Sequence, residues 1–188
     1  MYIWTGLIFD KKTEYEIRKT CQQINEEFQI NEQSFTLPQH ISLKTSFNFL
    51  NYKEVIEYLK MILKDYESID VELTGITKLH GVIWINVEEN KKLTKIHDDL
   101  NKKLLEKFSI PLIKFDGKNF VFHSTLFQDS QNNEKLDKMF QILNKKLTFP
   151  IELKLNEVNF GISEIGSVGT YKVYDKVILN GGINNDNR

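Results

Sequence analysis

The sequence predicts an α+β fold built from two similar halves, each with the order strand–helix–strand–helix–strand. Three observations predict it. Apolar spacing switches along the chain between the periods of strands and helices, the order of elements begins again near residue 82, and the tetrapeptide His-x-[Ser/Thr]-Leu occurs twice, at His40 and His123. Equivalent features of the halves lie about 80 residues apart, which indicates an internal duplication. Each half has an apolar face to bury, so we expect two lobes whose mainly antiparallel sheets flank a central cleft, with helices on the outer faces.

The first repeat covers about residues 2–79. Its predicted elements are, in order, a strand over residues 2–9, a helix with apolar residues at Ile17, Cys21, Ile24 and Phe28, a strand through His40, a helix after Asn51 with Val55, Leu59, Ile62 and Tyr66 on one side, and a strand of alternating residues around Val71 and Leu73. The spacing of Thr13 and Glu16 predicts a capping box at the start of the first helix. Because Cys21 lies on an apolar stripe, we expect a buried thiol and not a nucleophile.

The second repeat covers about residues 82–179 and follows a predicted turn at His80-Gly81. Its predicted elements are, in order, a strand over residues 82–87, a helix with apolar residues at Leu93, Ile96, Leu100, Leu104 and Phe108, a strand over residues 119–127 that carries His123, a helix from near Asn133, a strand over residues 151–155, and an added strand over about residues 171–179. We expect residues 1–180 to form a single bilobal domain with interleaved lobes, and the Gly- and Asn-rich residues 181–188 to form a flexible tail.

Composition is that of an ordinary globular protein and excludes several classes. The chain has 188 residues, of which 40% are hydrophobic and 27% charged, and its single cysteine excludes an intrachain disulfide framework. No apolar run approaches the roughly 20 residues that span a bilayer, and the N-terminus lacks a signal-peptide pattern, so we expect a cytoplasmic, monomeric protein. With a formal net charge of −1, a broad electrostatic grip on duplex nucleic acid is not expected. A nucleic-acid substrate should therefore be small or single-stranded.

The two tetrapeptides are the strongest candidates for a functional site. Residues two apart on a strand share a face, so His40, Ser42 and Lys44 should project together. His123 and Thr125 should do the same in the second repeat, and a pseudo-twofold relation would bring the two faces together across the cleft. One such tetrapeptide alone is more often a core or rim feature, whereas two at equivalent places in a repeat favour function.

This set of residues suits chemistry at a phosphodiester. A free imidazole has a pKa near 6.5, so at neutral pH one ring can act as a base and the other as an acid. The hydroxyls, with Lys44 as an added cation, can donate hydrogen bonds to the phosphate oxygens. The pattern predicts a site that needs neither a metal nor another cofactor.

The sequence resembles the two-histidine (2H) phosphoesterase superfamily, in its bacterial RNA-ligase-like, cyclic phosphodiesterase branch. The resemblance covers about residues 2–179 and rests on the segments 39–44 and 122–127 and on the repeated order of elements. It implies opening of 2′,3′-cyclic phosphates or related 2′–5′ linkages without a metal. One histidine would activate water and the other would protonate the leaving oxygen. By motif match these are His40 and His123, with Ser42 and Thr125 holding the phosphate; the sequence does not decide which histidine is the acid.

The chain departs from the family pattern at two places. Ser42 stands where threonine is commoner, which keeps the hydroxyl. Phe127-Gln128-Asp129 stands where many relatives carry a basic residue, which favours a nucleotide with a cyclic phosphate or a short single-stranded RNA end over long RNA. Base stacking should use an aromatic residue, and the candidates are Phe47, Trp84, Phe120 and Tyr171. Each is more often a core residue; Tyr171 is favoured because it follows the Gly-containing loop 166–170 and can reach the cleft.

Other functions stay open at this point. His97-Asp98 matches the core dipeptide of metal-dependent HD phosphohydrolases, but we expect both residues on a polar, exposed helix face without further ligands. A non-catalytic module that binds nucleotides or RNA ends would keep the same cleft. A 2′–5′ RNA ligase would use the same histidines.

Overall fold

The computed structural model describes residues 1–30 and 35–180, so the predicted tail at 181–188 lies outside the described residues. Within them the chain forms eight strands and four helices. The strands are β1 (Tyr2–Ile8), β2 (His40–Asn48), β3 (Ile69–Leu79), β4 (Val82–Val87), β5 (His123–Gln128), β6 (Ile151–Leu155), β7 (Glu157–Ser163) and β8 (Lys172–Ile178). The helices are α1 (Lys11–Phe28), α2 (Tyr52–Leu63), α3 (Lys91–Phe108) and α4 (Asn133–Lys146).

The strands form two four-stranded sheets, and every pairing is antiparallel. The first sheet has the order β2-β1-β7-β8, and the second has the order β5-β4-β3-β6. The strand that carries each histidine tetrapeptide is therefore an edge strand of its own sheet. The predicted α+β class, with two antiparallel sheets, is confirmed.

Each repeat contributes a strand to the sheet of the other. β3 follows the second helix of the first repeat but pairs with β4 of the second repeat, and β7 follows the second helix of the second repeat but pairs with β1 of the first. β7 was not predicted from the sequence, where the strand at residues 151–155 was matched with β3. In the structure β7 holds the position in the first sheet that β3 holds in the second.

Helices α1 and α3 are the closest match between the repeats. Both have 18 residues, and each begins after a residue, Asp10 or Asn90, whose side chain accepts hydrogen bonds from the second and third backbone N–H groups of the helix. Each of these two side chains thus accepts from N–H groups that have no partner within the helix. The predicted capping box at Thr13 and Glu16 is therefore wrong, because the helix already begins at Lys11.

The core lies between the sheets and the helices. One cluster of buried residues contains side chains from both sheets and all four helices, including Cys21, whose predicted burial is confirmed. On β1 its members are Ile3 and Leu7, whereas Trp4 and Ile8, on the alternate face, form a separate small cluster with Tyr171. Hence the first sheet has one face toward the main core and one toward the site described below.

Two further comparisons with the sequence predictions concern β5 and the membrane. β5 begins at His123, and residues 119–122 are irregular, so the predicted strand over residues 119–127 starts too early. Among the described residues no helix is both long enough and apolar enough to span a bilayer.

Candidate active site

The edge strands β2 and β5 lie side by side where the two sheets meet. The Gln39 Nε2 group donates to Ser124 Oγ at 2.6 Å and to the Thr125 carbonyl at 3.0 Å. Ser124 Oγ in turn donates to the His40 carbonyl at 2.6 Å. The two tetrapeptides are thus connected through residues that precede or lie within them, although they belong to different sheets.

Both histidines are held in the same tautomer. His40 Nδ1 lies 2.7 Å from the carbonyl oxygen of Pro38, and His123 Nδ1 lies 2.7 Å from that of Val121. A carbonyl oxygen only accepts hydrogen bonds, so Nδ1 carries the proton in each ring. In the neutral rings Nε2 is therefore the nitrogen with a lone pair, ready to accept a proton.

An indole ring packs against each imidazole. The ring centroids of Trp4 and His40 are 4.3 Å apart, and those of Trp84 and His123 are 4.4 Å apart. The Trp4 Nε1–H group also donates to Ser42 Oγ at 3.1 Å. Because this oxygen accepts from Trp4, its own O–H is directed elsewhere and can donate to a bound phosphate.

Two glycines let the Trp4 ring lie in this place. Gly6 pairs with Ser42 just as Trp84 pairs with Thr125, so Gly6 occupies the strand position that Trp84 has in the second repeat. A Cβ at Gly6 would overlap the Trp4 ring, and one at Gly161 would lie 2.8 Å from Trp4 Cε3. Trp4 was not among the residues predicted from the sequence; the signal that could have found it is the glycine inside each of two strands, which marks close approach of another group.

Burial depresses the pKa of both histidines. It lowers the pKa of His40 to about 4; the Pro38 carbonyl opposes this shift, and the neighbouring His123 adds to it. Burial also lowers the pKa of His123, against the effect of the Val121 carbonyl. At neutral pH, before any anion binds, both rings are neutral.

A cavity of about 150 Å³ adjoins this set of residues. Its lining includes His40 and Ser42 of the first tetrapeptide and Thr125 of the second, together with Trp4, Leu37 and Tyr171, but it does not include His123. A cavity of about this volume holds one benzene-sized ring. A wider groove of about 540 Å³ lies elsewhere, but carboxylates of Asp70, Glu72 and Glu88 line it and would repel a phosphate.

Comparison with known proteins gives the family. Residues 14–164, more than half of the chain, match the family described as the 2′-5′ RNA ligase superfamily. The chain belongs to this superfamily. The predicted resemblance to 2H phosphoesterases is thereby confirmed, and membership places the chain among phosphoesterases and RNA-ligase-like enzymes. No curated protein sequence matches the chain.

Solved structures share the 2H fold over nearly the whole chain. TT0787 of Thermus thermophilus is 13% identical, with a TM-score of 0.66 over 97% of this chain and 100% of that one. E. coli LigT complexed with 3′-AMP is 13% identical, with a TM-score of 0.57 over 94% and 96%. Kluyveromyces marxianus Usb1 is 14% identical, with a TM-score of 0.51 over 95% and 98%. At these identities the likeness shows the fold.

Lys44 does not lie beside the other residues that were predicted to form the site. Between the Ser42–Gly6 and Lys44–Thr5 pairs, β2 has one more residue than β1, so this β-bulge turns Leu43 and Lys44 together toward the interior. Only 2% of Lys44 is exposed, and its ammonium group is bound by other side chains. The predicted projection of Lys44 beside His40 and Ser42 is wrong, and its Nζ is not available to a phosphate.

The remaining candidates divide between cleft and core. Tyr171 lines the cavity, and Trp84 contacts His123, whereas Phe47 lies in the main core and Phe120 stacks on His97. His97 is 1% exposed, so the predicted surface position is wrong: its ring bonds the Leu43 carbonyl through Nδ1 at 2.8 Å. In residues 1–30 and 35–180 no three His, Cys, Asp or Glu residues come together as metal ligands, so the HD-type interpretation of His97-Asp98 has no support there.

Proposed function

We propose that the protein hydrolyses 2′,3′-cyclic phosphodiesters, or 2′–5′ linkages, in nucleotides or at RNA ends, with His40 and His123 as a metal-independent acid–base pair. The observation that carries this proposal is the matched environment of the two rings. Each Nδ1 is bound by the carbonyl two residues earlier, each ring packs on an indole, and each is followed two residues later by a hydroxyl. The two sets lie on adjoining edge strands.

This arrangement supports in-line hydrolysis with balanced proton transfers. One neutral ring takes a proton from water through Nε2 while the water oxygen forms a bond to phosphorus. The bond between phosphorus and one ribose oxygen breaks, and the second ring, protonated at Nε2, gives its proton to that oxygen. The products are a phosphomonoester and a free hydroxyl. Proton exchange with solvent then restores the starting state of both rings.

The hydroxyls of Ser42 and Thr125 are suited to stabilise the charged phosphate. Donors aimed at the non-bridging oxygens stabilise the charge that accumulates there in the transition state. Because Ser42 Oγ accepts a hydrogen bond from the Trp4 Nε1–H group, the Ser42 O–H is left to donate to the substrate. Hydrogen bonds to charged groups contribute about 1.5–3 kcal/mol each. Lys44 has no part in this set.

The cavity suggests a substrate with one base beside the reacting phosphate. Tyr171 and Trp4 lie on its wall, and stacking of a base on an aromatic side chain is worth about 1–3 kcal/mol. The relative LigT has been solved with 3′-AMP, which supports a nucleotide or a short single-stranded RNA end as the ligand. The buried, free thiol of Cys21 fits a reducing compartment, so we propose that the enzyme acts in the cytoplasm. The prediction that it is a monomer stays untested.

The test uses 2′,3′-cyclic mononucleotides and short RNAs with 2′,3′-cyclic ends, with and without EDTA. We expect turnover that resists EDTA and falls about 10²–10⁴-fold in His40→Asn and in His123→Asn, which is the usual contribution of acid–base catalysis. His80→Asn is the matched control, because His80 lies exposed in the turn between β3 and β4.

Three results would contradict the proposal. Binding of the nucleotides without turnover would indicate a non-catalytic module. Loss of turnover in EDTA would indicate a metal enzyme. Formation of a 2′–5′ bond with a 5′-hydroxyl RNA, faster than hydrolysis, would indicate a ligase.

A further inference from the structure

We propose that Lys44 is a positioning residue that holds His123 in its reactive tautomer from the opposite repeat. The proposal rests on the function proposed above, in which His123 exchanges a proton through Nε2. It gives a role to a buried polar group of four residues, called here the Lys44 cluster, which consists of Lys44, His97, Asn101 and Asp116.

The first part of this connection is a set of hydrogen bonds between β2 and the loop before β5. Lys44 Nζ donates to Asp116 Oδ2 at 2.5 Å and to Asn101 Oδ1 at 2.6 Å. The other carboxylate oxygen of Asp116 accepts from the Thr45 backbone N–H at 3.1 Å. Burial opposes ionisation of Asp116, but the hydrogen bonds from Lys44 and from backbone N–H groups hold its pKa below the ordinary value. The loop at Asp116 is thus bound to β2 through both oxygens of a charged group.

The second part of this connection is the His97 ring, which forms hydrogen bonds to both β2 and the loop. His97 Nε2 accepts from the Gly117 backbone N–H at 2.9 Å and from Asn101 Nδ2 at 3.0 Å. Its Nδ1 therefore carries the proton and donates to the Leu43 carbonyl at 2.8 Å. A ring on α3 is in this way fixed between β2 and the residue that follows Asp116.

The third part of this connection reaches the carbonyl that orients His123. The His97 ring stacks on Phe120 with centroids 4.1 Å apart, and Phe122 packs edge-on at 5.9 Å. These two rings flank Val121, whose own side chain is 60% exposed. Because the Val121 side chain has little packing of its own, we infer that the contacts of Phe120 and Phe122 with His97 fix the position of the Val121 carbonyl. This carbonyl oxygen lies 2.7 Å from His123 Nδ1.

The first repeat orients His40 by a separate set of contacts. Arg18 of α1 donates to the carbonyls of Phe35 (2.9 Å) and Leu37, and Glu14 accepts from the Gln39 backbone N–H at 3.1 Å. These bonds hold the segment around the Pro38 carbonyl from a helix of the same repeat. Loss of the Lys44 side chain should therefore change the tautomer of His123 and leave the tautomer of His40 unchanged.

The experiment reads the imidazole nitrogens of the ¹⁵N-labelled full chain, which has only four histidines. In the wild type we expect both His40 and His123 in the single Nδ1–H tautomer. In Lys44→Met we expect His123 to become a mixture of tautomers while His40 is unchanged. With a cyclic nucleotide, kcat should fall about 100-fold at nearly constant KM, as a displaced catalytic group does.

Further variants keep the test decisive if the Lys44→Met chain folds poorly. Phe120→Leu removes the ring that stacks on His97 without leaving a buried charge unpaired. It should also produce a mixture of His123 tautomers, with a smaller minor population than in Lys44→Met. Ile56→Ala in α2 is the control for general loss of stability, and it should leave the His123 tautomer unchanged.

The possible outcomes separate this proposal from the previous one. A single Nδ1–H tautomer of His123 with wild-type kcat in folded Lys44→Met or Phe120→Leu would overturn the positioning role, as would an equal disturbance of His40. If the wild type turns over no cyclic phosphate but the tautomer of His123 still responds to Lys44→Met, the positioning role stands and the proposed hydrolysis fails.

Discussion

The two imidazoles share their hydrogen-bonding pattern, and burial lowers the pKa of both. The pKa of His40 falls to about 4, and that of His123 also lies below its ordinary value. A phosphate anion bound between them favours the charged form of either ring and raises its pKa. Substrate binding itself therefore supplies the protonated histidine that the reaction needs.

This effect predicts different pH profiles for the free enzyme and for the complex. The base must be neutral, so activity falls as pH drops through the lower pKa; the acid must be charged, so activity falls as pH rises through the higher one. With both pKa values below the ordinary 6.5, we expect a bell-shaped profile of kcat/KM centred on the acidic side of 6.5. The profile of kcat should be displaced to higher pH. Steady-state rates from about pH 3.5 to 9 will check this, and a kcat/KM optimum above about pH 7 would contradict it.

The residues proposed to contact the phosphate could be identified from the sequence, whereas the groups that orient the two histidines could not. His40, Ser42, His123 and Thr125 form a local pattern that repeats, and two-residue periodicity places each pair on one face. The carbonyls that fix the tautomers come from Pro38 and Val121, and backbone atoms leave no trace in the side-chain pattern.

At the scale of elements, most strands were predicted close to their observed bounds, and β4 was predicted with the bounds it has, but β7 was not predicted. Its apolar residues Val158, Phe160 and Ile162 do alternate with polar residues or glycine, but only Asn156 separates it from β6, so no turn signal marks it as a separate strand. Residues 120–122 have the composition of a strand, yet their aromatic rings pack on His97. The β-bulge at Leu43 is equally invisible, and it changes the side of the sheet to which Lys44 points.

The contact between β1 and β7 predicts that Gly161→Ala reduces activity. The new methyl group would lie 2.8 Å from Trp4 Cε3, so the indole must move away from His40 and Ser42. We expect kcat to fall about tenfold, since loss of one positioned donor costs about 1–2 kcal/mol. A double-mutant cycle with Trp4→Leu measures the coupling: the Gly161→Ala effect should nearly vanish once the indole is gone. Simple additivity of the two changes would disprove the explanation.

At the scale of the whole molecule, the two repeats are joined by the exchange of β3 and β7 and by a common core. β3 and β7 each lie in the sheet of the other repeat, and one apolar cluster extends through both sheets. Gln39 and Ser124 add direct bonds between the edge strands. Both repeats should consequently unfold together.

This connection predicts a measurable stability loss in Ser124→Ala. The change removes the donor to the His40 carbonyl and one of the two acceptors of Gln39, at a site with no exposure to water. An unsatisfied buried group costs about 1–3 kcal/mol, and urea denaturation should show this loss in a single transition. Thr20→Ala, on the exposed side of α1, is the control and should change stability by less than about 0.5 kcal/mol. A Ser124→Ala loss no larger than that of the control would refute the prediction.

The hydrogen bonds between the edge strands β2 and β5 have a consequence for whether hydrolysis or the reverse joining reaction is favoured. Swinging the sheets apart would break these bonds and expose the common core to water, so we expect the two sheets to stay together during turnover. His123 is only partly buried in the ligand-free protein, so solvent can reach its ring. A ring that solvent can reach suits the proposed hydrolysis, which consumes water, better than the reverse joining reaction, in which water would compete with the incoming hydroxyl for the same phosphorus.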